Sequence, residues 1–487
     1  MNSLAIALKE QGKYAEAAAM QLQTMQLREM MLGKDHPDTL GSMNNLAISL
    51  RLQGKYAEAE AMHLQTLKLR ETVLGKDHPD TLDSMNNLAV TLEKQGKYAE
   101  AEAMHLQTLK LRETVLGKDH PDTLGSMNNL AVALEEQGKY TEAEAIHLQT
   151  LKLRETVLGK DHPDTLGGMN NLAVALEKQG KYAEAQAMHQ QTLKLRETVL
   201  GKDHPDTLTS MNNLAILLRL QGKYAEAEAM HRHTLQLRET VLGKDHPDTL
   251  DSMNNLAVTL EKQGKYTEAE AMHLQTMHLM EAALGKDHPD TLTSMNNLAV
   301  TLEKQGKYAE AEAMHLQTLK LRETVLGKDH SDTLGSMNNL AVALEEQGKY
   351  AEAQAMHQQT LKLRETVLGK DHPDTLTSMN NLAILLRLQG KYAEAEAMHR
   401  HTLQLRETVL GKDHPDTLDS MNNLAVTLEK QGKYAEAEAM HLQTLKLRET
   451  VLGKDHPDTL GSMNNLAVAL EEQGKYAEAE AMHQRAL

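Results

Sequence analysis

The chain has 487 residues without cysteine, phenylalanine or tryptophan, and its 52 Lys and Arg against 69 Asp and Glu give a formal charge of −17. That composition excludes disulfides and thiolate metal sites. An acidic balance without clustered basic residues argues against nonspecific nucleic-acid binding. No apolar run approaches the ~18 residues that a membrane-spanning helix needs. Met1–Glu10 has no basic stretch that would mark a secretory leader. Lack of cysteine fits a reducing compartment, so the expected location is the cytoplasm.

The sequence restarts every 42 residues, at Met1, Met43, Met85, Met127, Met169, Met211, Met253, Met295, Met337, Met379, Met421 and Met463, the last copy being cut short at Leu487. Such a period is the mark of one supersecondary unit stacked many times. The expectation is therefore one elongated tandem array over residues 1–487, not several compact domains. Each unit would touch only its neighbours, so no single core has to grow with chain length.

Within the unit the elements follow in order. Pro79–Gln95 carries Leu82, Met85, Leu88, Ala89 and Leu92 at spacings of three and four, which predicts an amphipathic helix. Asp77 or His78 is placed to cap it. Pro79 suits its first turn, where a missing N–H costs nothing, and Asp80 complements the helix dipole. Gly96 is a left-handed terminator. Tyr98–Leu116 predicts a second helix, with Tyr98, Ala101, Met104, Thr108, Leu109, the stem of Arg112, and Val115–Leu116 inward. Gly117 ends it, and Lys118–His120 link to the next pair. Neither helix hides its apolar face alone, so stacking is what makes the array stable. With only tyrosine as a ring, methionine is expected to fill the gaps.

The frame N-L-A-x-x-L-x-x-x-G-x-Y-x-x-A resembles a tetratricopeptide repeat. With N-N-L-A, G-K-Y-x-E-A and L-G-K-D-H-P-D added, the unit resembles the 42-residue repeats of kinesin light chains. It is also similar to repeats of nephrocystin-3-like proteins and of NTPase-receptor sensor arrays. The resemblance implies an all-α fold: a right-handed αα superhelix of about twelve helix-turn-helix units, with first helices lining a concave face. It also implies a non-enzymatic adaptor that binds extended peptide segments of other proteins. There are departures: His63, His105 and His147 stand where the family usually has an aromatic, and Thr66 and Thr108 where it has alanine. The heptad segment that joins a kinesin motor is absent from this sequence.

The same resemblance assigns peptide binding to the asparagine before each inward leucine: Asn45, Asn87, Asn129, Asn171, Asn213, Asn255, Asn297, Asn339, Asn381, Asn423 and Asn465. A carboxamide offers both donor and acceptor, which matches a peptide main chain. The alternative is that these asparagines bind neighbouring helices or water. Asp83, Asn87, Val90 and Lys94 form one stripe, and its ends vary between units while the core letters hardly change. Lys94, Lys178, Lys262, Lys304 and Lys430 favour acidic partners; Glu136, Glu346 and Glu472 interrupt that basic track.

Other chemistry finds little support. Gly75-Lys76-Asp77 lacks the upstream glycine and following hydroxyl of a phosphate loop. The 25 histidines recur mainly at the link (His78) and in the second helix (His105), so equivalent ones lie a helix-packing distance of ~10 Å apart. That is too far to share a zinc ion, and they read as structural. No cofactor or metal is expected. No nucleophile, base and orienter stand apart from the repeat, so no enzymatic site is expected. Ser331, replacing the link proline, and the altered stretch Met277–Ala283 are candidate soft spots. The rival reading is a sensor or self-association module from a larger receptor, because both ends of the chain fall inside a repeat and leave apolar faces without polar caps. End-to-end self-association follows from it.

Overall fold

A computed structural model describes residues 2–486. Met1 and Leu487, on which the expectation about the chain ends partly rests, lie outside the described residues. Among the described residues there are 24 helices and no strand. They form twelve antiparallel pairs, from Asn2–Glu10 with Tyr14–Leu32 to Pro457–Glu471 with Tyr476–Ala486. Pair 3 (Pro79–Lys94 and Tyr98–Val115) represents the rest.

Its first helix starts as the sequence dictates. His78 is extended, and its Nδ1 accepts the Asp80 backbone N–H at 3.2 Å, so the histidine and not Asp77 caps the helix. Pro79 follows in the first turn, and Thr81 Oγ1 donates back to the Gly75 carbonyl at 2.8 Å. At the far end Gly96 takes φ +75°, while its N–H reaches Glu93 O and the Lys97 N–H reaches Leu92 O. That is a Schellman closure, and it needs the left-handed residue that glycine supplies most cheaply.

Leu82, Met85, Leu88, Ala89 and Leu92 are all buried. Leu88 and Leu92 pack on Ala101 and Met104 of their own pair and on Leu67 of the preceding one. Each first helix is thus wedged between two second helices, and the core is a continuous seam. Truncating one such leucine removes ~2–5 kcal/mol. First helices of successive pairs also approach each other directly, whereas second helices are separated by the next first helix. The first helices therefore lie on the tighter side of the curve.

The second helix buries Ala101, His105, Thr108 and Arg112. Two expectations are corrected here. Val115 is 43% exposed, at the end of an 18-residue helix whose flanking first helices have 16 and 15 residues. Arg112 is buried to its guanidinium, not only along its stem, since that group has partners on both flanking first helices. Neither suspected soft spot interrupts a helix: Ser331 opens one that runs to Glu346, and Met277–Ala283 lies inside Tyr266–Leu284.

The curve closes on itself. His246 Nε2 meets the Glu10 carbonyl at 3.1 Å, 236 residues away. The same rung recurs as His288–Leu52, His330–Lys94, His372–Glu136, His414–Lys178 and His456–Leu220, at 3.0 to 3.1 Å. Pair n lies on pair n + 6, so about six pairs make one turn and two turns lie in contact. A Cβ on Gly138 would come 2.3 Å from Pro373 Cδ, whereas one on Gly390, with nearly the same φ (+74° and +78°), would meet nothing within 4 Å. The strain of a positive φ is common to both sites. Gly138→Ala is therefore expected to cost ~1–3 kcal/mol more than Gly390→Ala in urea unfolding, as overpacking does. Equal losses would mean that the turns do not touch in solution.

Candidate protein-interaction site

All eleven singled-out asparagines lie on first helices and none of them is buried. Each donates its Nδ2 across the repeat boundary to the first asparagine of the preceding pair. Asn87 reaches Asn44 Oδ1 at 3.2 Å, Asn129 reaches Asn86 at 2.9 Å, and Asn171 reaches Asn128 at 2.8 Å. The row continues through Asn213, Asn255, Asn297, Asn339, Asn381, Asn423 and Asn465, and starts at Asn45 on Asn2. One amide hydrogen is thereby committed to the scaffold. A second hydrogen and the Oδ1 lone pairs have no partner among the described residues, and their orientation is fixed by the bond already made.

The lysines divide. Lys178 is held by Glu135 at 3.1 Å and Glu136 at 3.0 Å, so Glu136 neutralises it as well as interrupting the track. These carboxylates push the Lys178 ammonium pKa up against the opposing effect of burial. Lys430 lies 3.7 Å from Glu429. Lys94, Lys262 and Lys304 are exposed and make no ion pair among the described residues.

The variable start of the stripe is tied to the buried arginine row. Arg112 Nη1 donates to Asp122 O and Ser126 Oγ, both at 2.9 Å, and its Nη2 pairs with Asp83. Arg448 does the same with Asp419. Where the stripe has threonine, Thr209, Thr293 and Thr377 accept from Arg238, Arg322 and Arg406 at 2.9 to 3.1 Å. Where it has Gly41, Gly125, Gly167 or Gly335, the Nη2 of Arg70, Arg154, Arg196 or Arg364 has no partner among the described residues, and the space above the glycine is open. The periodicity of the sequence did not reveal this arginine edge; the signal was the exchange of Asp, Thr and Gly at one place in every repeat.

A cavity of about 400 Å³ gathers these features between the two turns. Asn296, Asn338, Asn339 and Arg364 line it together with Lys178 and Tyr140. At its edge Ser331, in the link-proline position, shares a 3.0 Å hydrogen bond with Tyr98 Oη. Burial first, with the nearby acids, raises the Tyr98 phenol to about 12 against the lowering effect of the Ser331 bond.

The second-helix histidines are core residues. His63, His105, His189 and His231 are fully buried with neither ring nitrogen hydrogen-bonded, and burial pushes each down to about 4. His147 differs, with Nε2 2.9 Å from Glu135 Oε1. Among the described residues no three His, Asp or Glu side chains converge as metal ligands, and no helix is long and apolar enough to cross a membrane.

Stacked helix pairs with a polar row along the inner helices define a repeat scaffold of the kind that binds other proteins. The tetratricopeptide-repeat model matches ten segments, from residues 1–72 and 41–114 through 248–324 and 332–408 to 379–450 and 422–487. The chain belongs to the tetratricopeptide-repeat family. It is similar to a Podosopora anserina putative kinesin light chain of nearly identical TPR-like repeats, with 27% identity over 41% of this chain and 94% of that one, TM-score 0.36. It is also similar to BtubC (BKLC) from P. vanneervenii, with 20% identity over 47% of this chain and 89% of that one, TM-score 0.36. No curated protein matches. The family assignment rests on the repeat match.

Proposed function

We propose that residues 1–487 act as one tandem array, a cytoplasmic adaptor that holds an extended, acidic peptide segment of a partner protein along its first helices. The observation that carries this reading is the asparagine row, which repeats an oriented carboxamide with spare donor and acceptor on every pair. An extended strand advances ~3.3 Å per residue and helices pack ~10 Å apart, so each rung would serve about three ligand residues. Main-chain recognition of this kind holds a segment without reading its side chains. The preference for acidic residues comes from Lys94, Lys262 and Lys304 and from the uncommitted guanidinium edges beside Gly41, Gly125, Gly167 and Gly335. Asp83 and Asp419 already place a carboxylate on the corresponding edge in their own rungs, so the guanidinium accepts that group without rearrangement.

The test is capture of partner proteins and of acidic peptides by the full chain and by a series accumulating Asn129→Ala, Asn171→Ala, Asn213→Ala and Asn255→Ala. Affinity is expected to fall stepwise by ~0.5–1.5 kcal/mol per rung, the net worth of one hydrogen bond, with helicity retained. Equal capture by the parent and the fourfold variant would remove the groove reading. A single substitution that abolished a turnover would instead point to an enzyme.

A further inference from the structure

The rung that closes one turn on the next is made from two halves, and the chain carries more of each half than it uses. The upper half is a link histidine. Its Nδ1 accepts a backbone N–H, as His330 does from Asp332 at 3.1 Å, so the ring hydrogen sits on Nε2 and points to the neighbouring turn. The lower half is the last carbonyl of a first helix, followed by a glycine with no Cβ to obstruct the incoming link residue.

Pairs 1–6 contribute six lower halves and pairs 7–12 contribute six upper halves, all engaged within the chain. The complementary halves stay open. His36, His78, His120, His162 and His204 cap their helices with the same dihedrals and the same Nδ1 bond as their engaged counterparts. Their outer faces differ: the His120 and His204 side chains are 40% and 41% exposed, against 7% for His288 and His330. On the other edge Gly264, Gly306, Gly390 and Gly432 have nothing above them, and Tyr476 is 71% exposed.

We propose that these two open edges bind each other on different molecules, so that a second copy of this chain continues the superhelix by the same seam. The register follows from the internal rungs. His36, His78, His120, His162 and His204 of one copy would meet the carbonyls of Lys304, Glu346, Leu388, Lys430 and Glu472 of another. That gives five rungs where the intramolecular seam has six. The two edges are unlike surfaces, so the contact is heterologous and does not close. It produces open helical fibres and not a symmetric dimer. Both edges are already folded in the single chain, so association requires no ordering of a loop. The seam runs beside the asparagine row, since Glu136 and His372 line the same cavity as Asn338 and Asn339, but its rungs use no asparagine side chain, so the substitutions that test it leave the row intact.

The experiment is light scattering of the full chain over a wide dilution series, paired with a variant carrying His36→Asn, His78→Asn, His120→Asn, His162→Asn and His204→Asn. Asparagine preserves the helix caps but removes the outward Nε2 donor, and none of the five residues takes part in the intramolecular seam. The weight-average mass of the parent is expected to exceed twice the 54.1 kDa of one chain at the top of the series and return to it on dilution. The fivefold variant is expected to stay at the mass of one chain with unchanged helicity. A second variant, with His288→Asn, His372→Asn and His414→Asn, opens the internal seam and is expected to keep associating. A parent that stays monomeric throughout would overturn the proposal. So would a fivefold variant that associates as the parent does, which would point to stacking of the chain ends instead.

Discussion

Acidification from pH 6.5 to pH 4 is expected to unfold the array, with the melting temperature falling steeply across that window. The cause is the buried imidazole row. His63, His105, His189, His231, His273, His399 and His441 are fully buried, and each is pushed by burial from an ordinary 6.5 down to about 4. In the unfolded chain they take up protons near 6.5; in the folded chain they do not until about 4. Between those values the unfolded state binds more protons, so stability is complete above the window and is lost as the pH falls through it. Each site contributes up to roughly 3 kcal/mol. Six carboxyls act in the opposite sense, with burial the first cause in each, and Asp83, Asp419 and Glu429 are among those raised. Burial raises Glu93 and Glu177 to about 7, and loss of bulk water, with Asp290 and Asp248 nearby, does the same to Asp251. These six favour the fold on acidification. Against them, Glu102, Glu144, Glu228, Glu270, Glu312, Glu396 and Glu438, which lysine hydrogen bonds hold below the ordinary carboxylate value, lose stability at the acid end of the window together with the seven histidines. Circular dichroism melts at intervals of pH provide the check, and His→Leu at the seven sites is expected to flatten the profile. A melting temperature that holds level or rises towards pH 4 would refute the assignment of these histidines to the core.

Removing one arginine clamp is the second large effect. Arg196 is 6% exposed and ties the second helix of pair 5 to the first helix of pair 6, donating to Asp206 O at 2.7 Å and Ser210 Oγ at 2.9 Å. Arg196→Ala forfeits two charge-assisted bonds and leaves a void, with an expected cost of ~2–4 kcal/mol. The chain itself shows an apolar substitute. Met280 occupies the corresponding place in pair 7, is 2% exposed and packs with Leu250 and Met253. The serine of that rung, Ser294, is left buried with its hydroxyl unpaired. Arg196→Met is therefore expected to be milder than Arg196→Ala, and adding Ser210→Ala to Arg196→Met is expected to recover stability by relieving the orphaned hydroxyl. Denaturant unfolding of the parent, these three variants and Ser210→Ala alone measures this. If Ser210→Ala were equally harmful with and without Arg196, the clamp would not be the link between the pairs.

The helix pairs were legible because the information is local. Leu82 to Leu92 carry the period of a helix, and His78-Pro79 and Gly96 punctuate it within a few residues of the atoms they serve. What periodicity could not reveal lies across repeat boundaries. Arg112 looked like an amphipathic stem because its partners, Asp83 and Ser126, sit 29 residues before it and 14 after. Lys178 looked like a free cation because Glu136 belongs to the preceding pair. The sequence leaves each asparagine open to a bound peptide or to a neighbouring helix, and one of its hydrogens belongs to the pair before it. Val115 failed for a simpler reason: the apolar period continues past the point where the neighbouring helix ends. The contact between turns, 236 residues apart, is set by the accumulated rotation of six pairs and leaves no trace in any single unit.

That contact gives the molecule a mechanical character that an open solenoid lacks. Pulled along its axis, a coil with separate turns stretches from the first increment of load. Here the load falls first on six imidazole–carbonyl links arranged side by side, so the spring stays at its resting length until they release together, and only then does it lengthen turn by turn with every helix still folded.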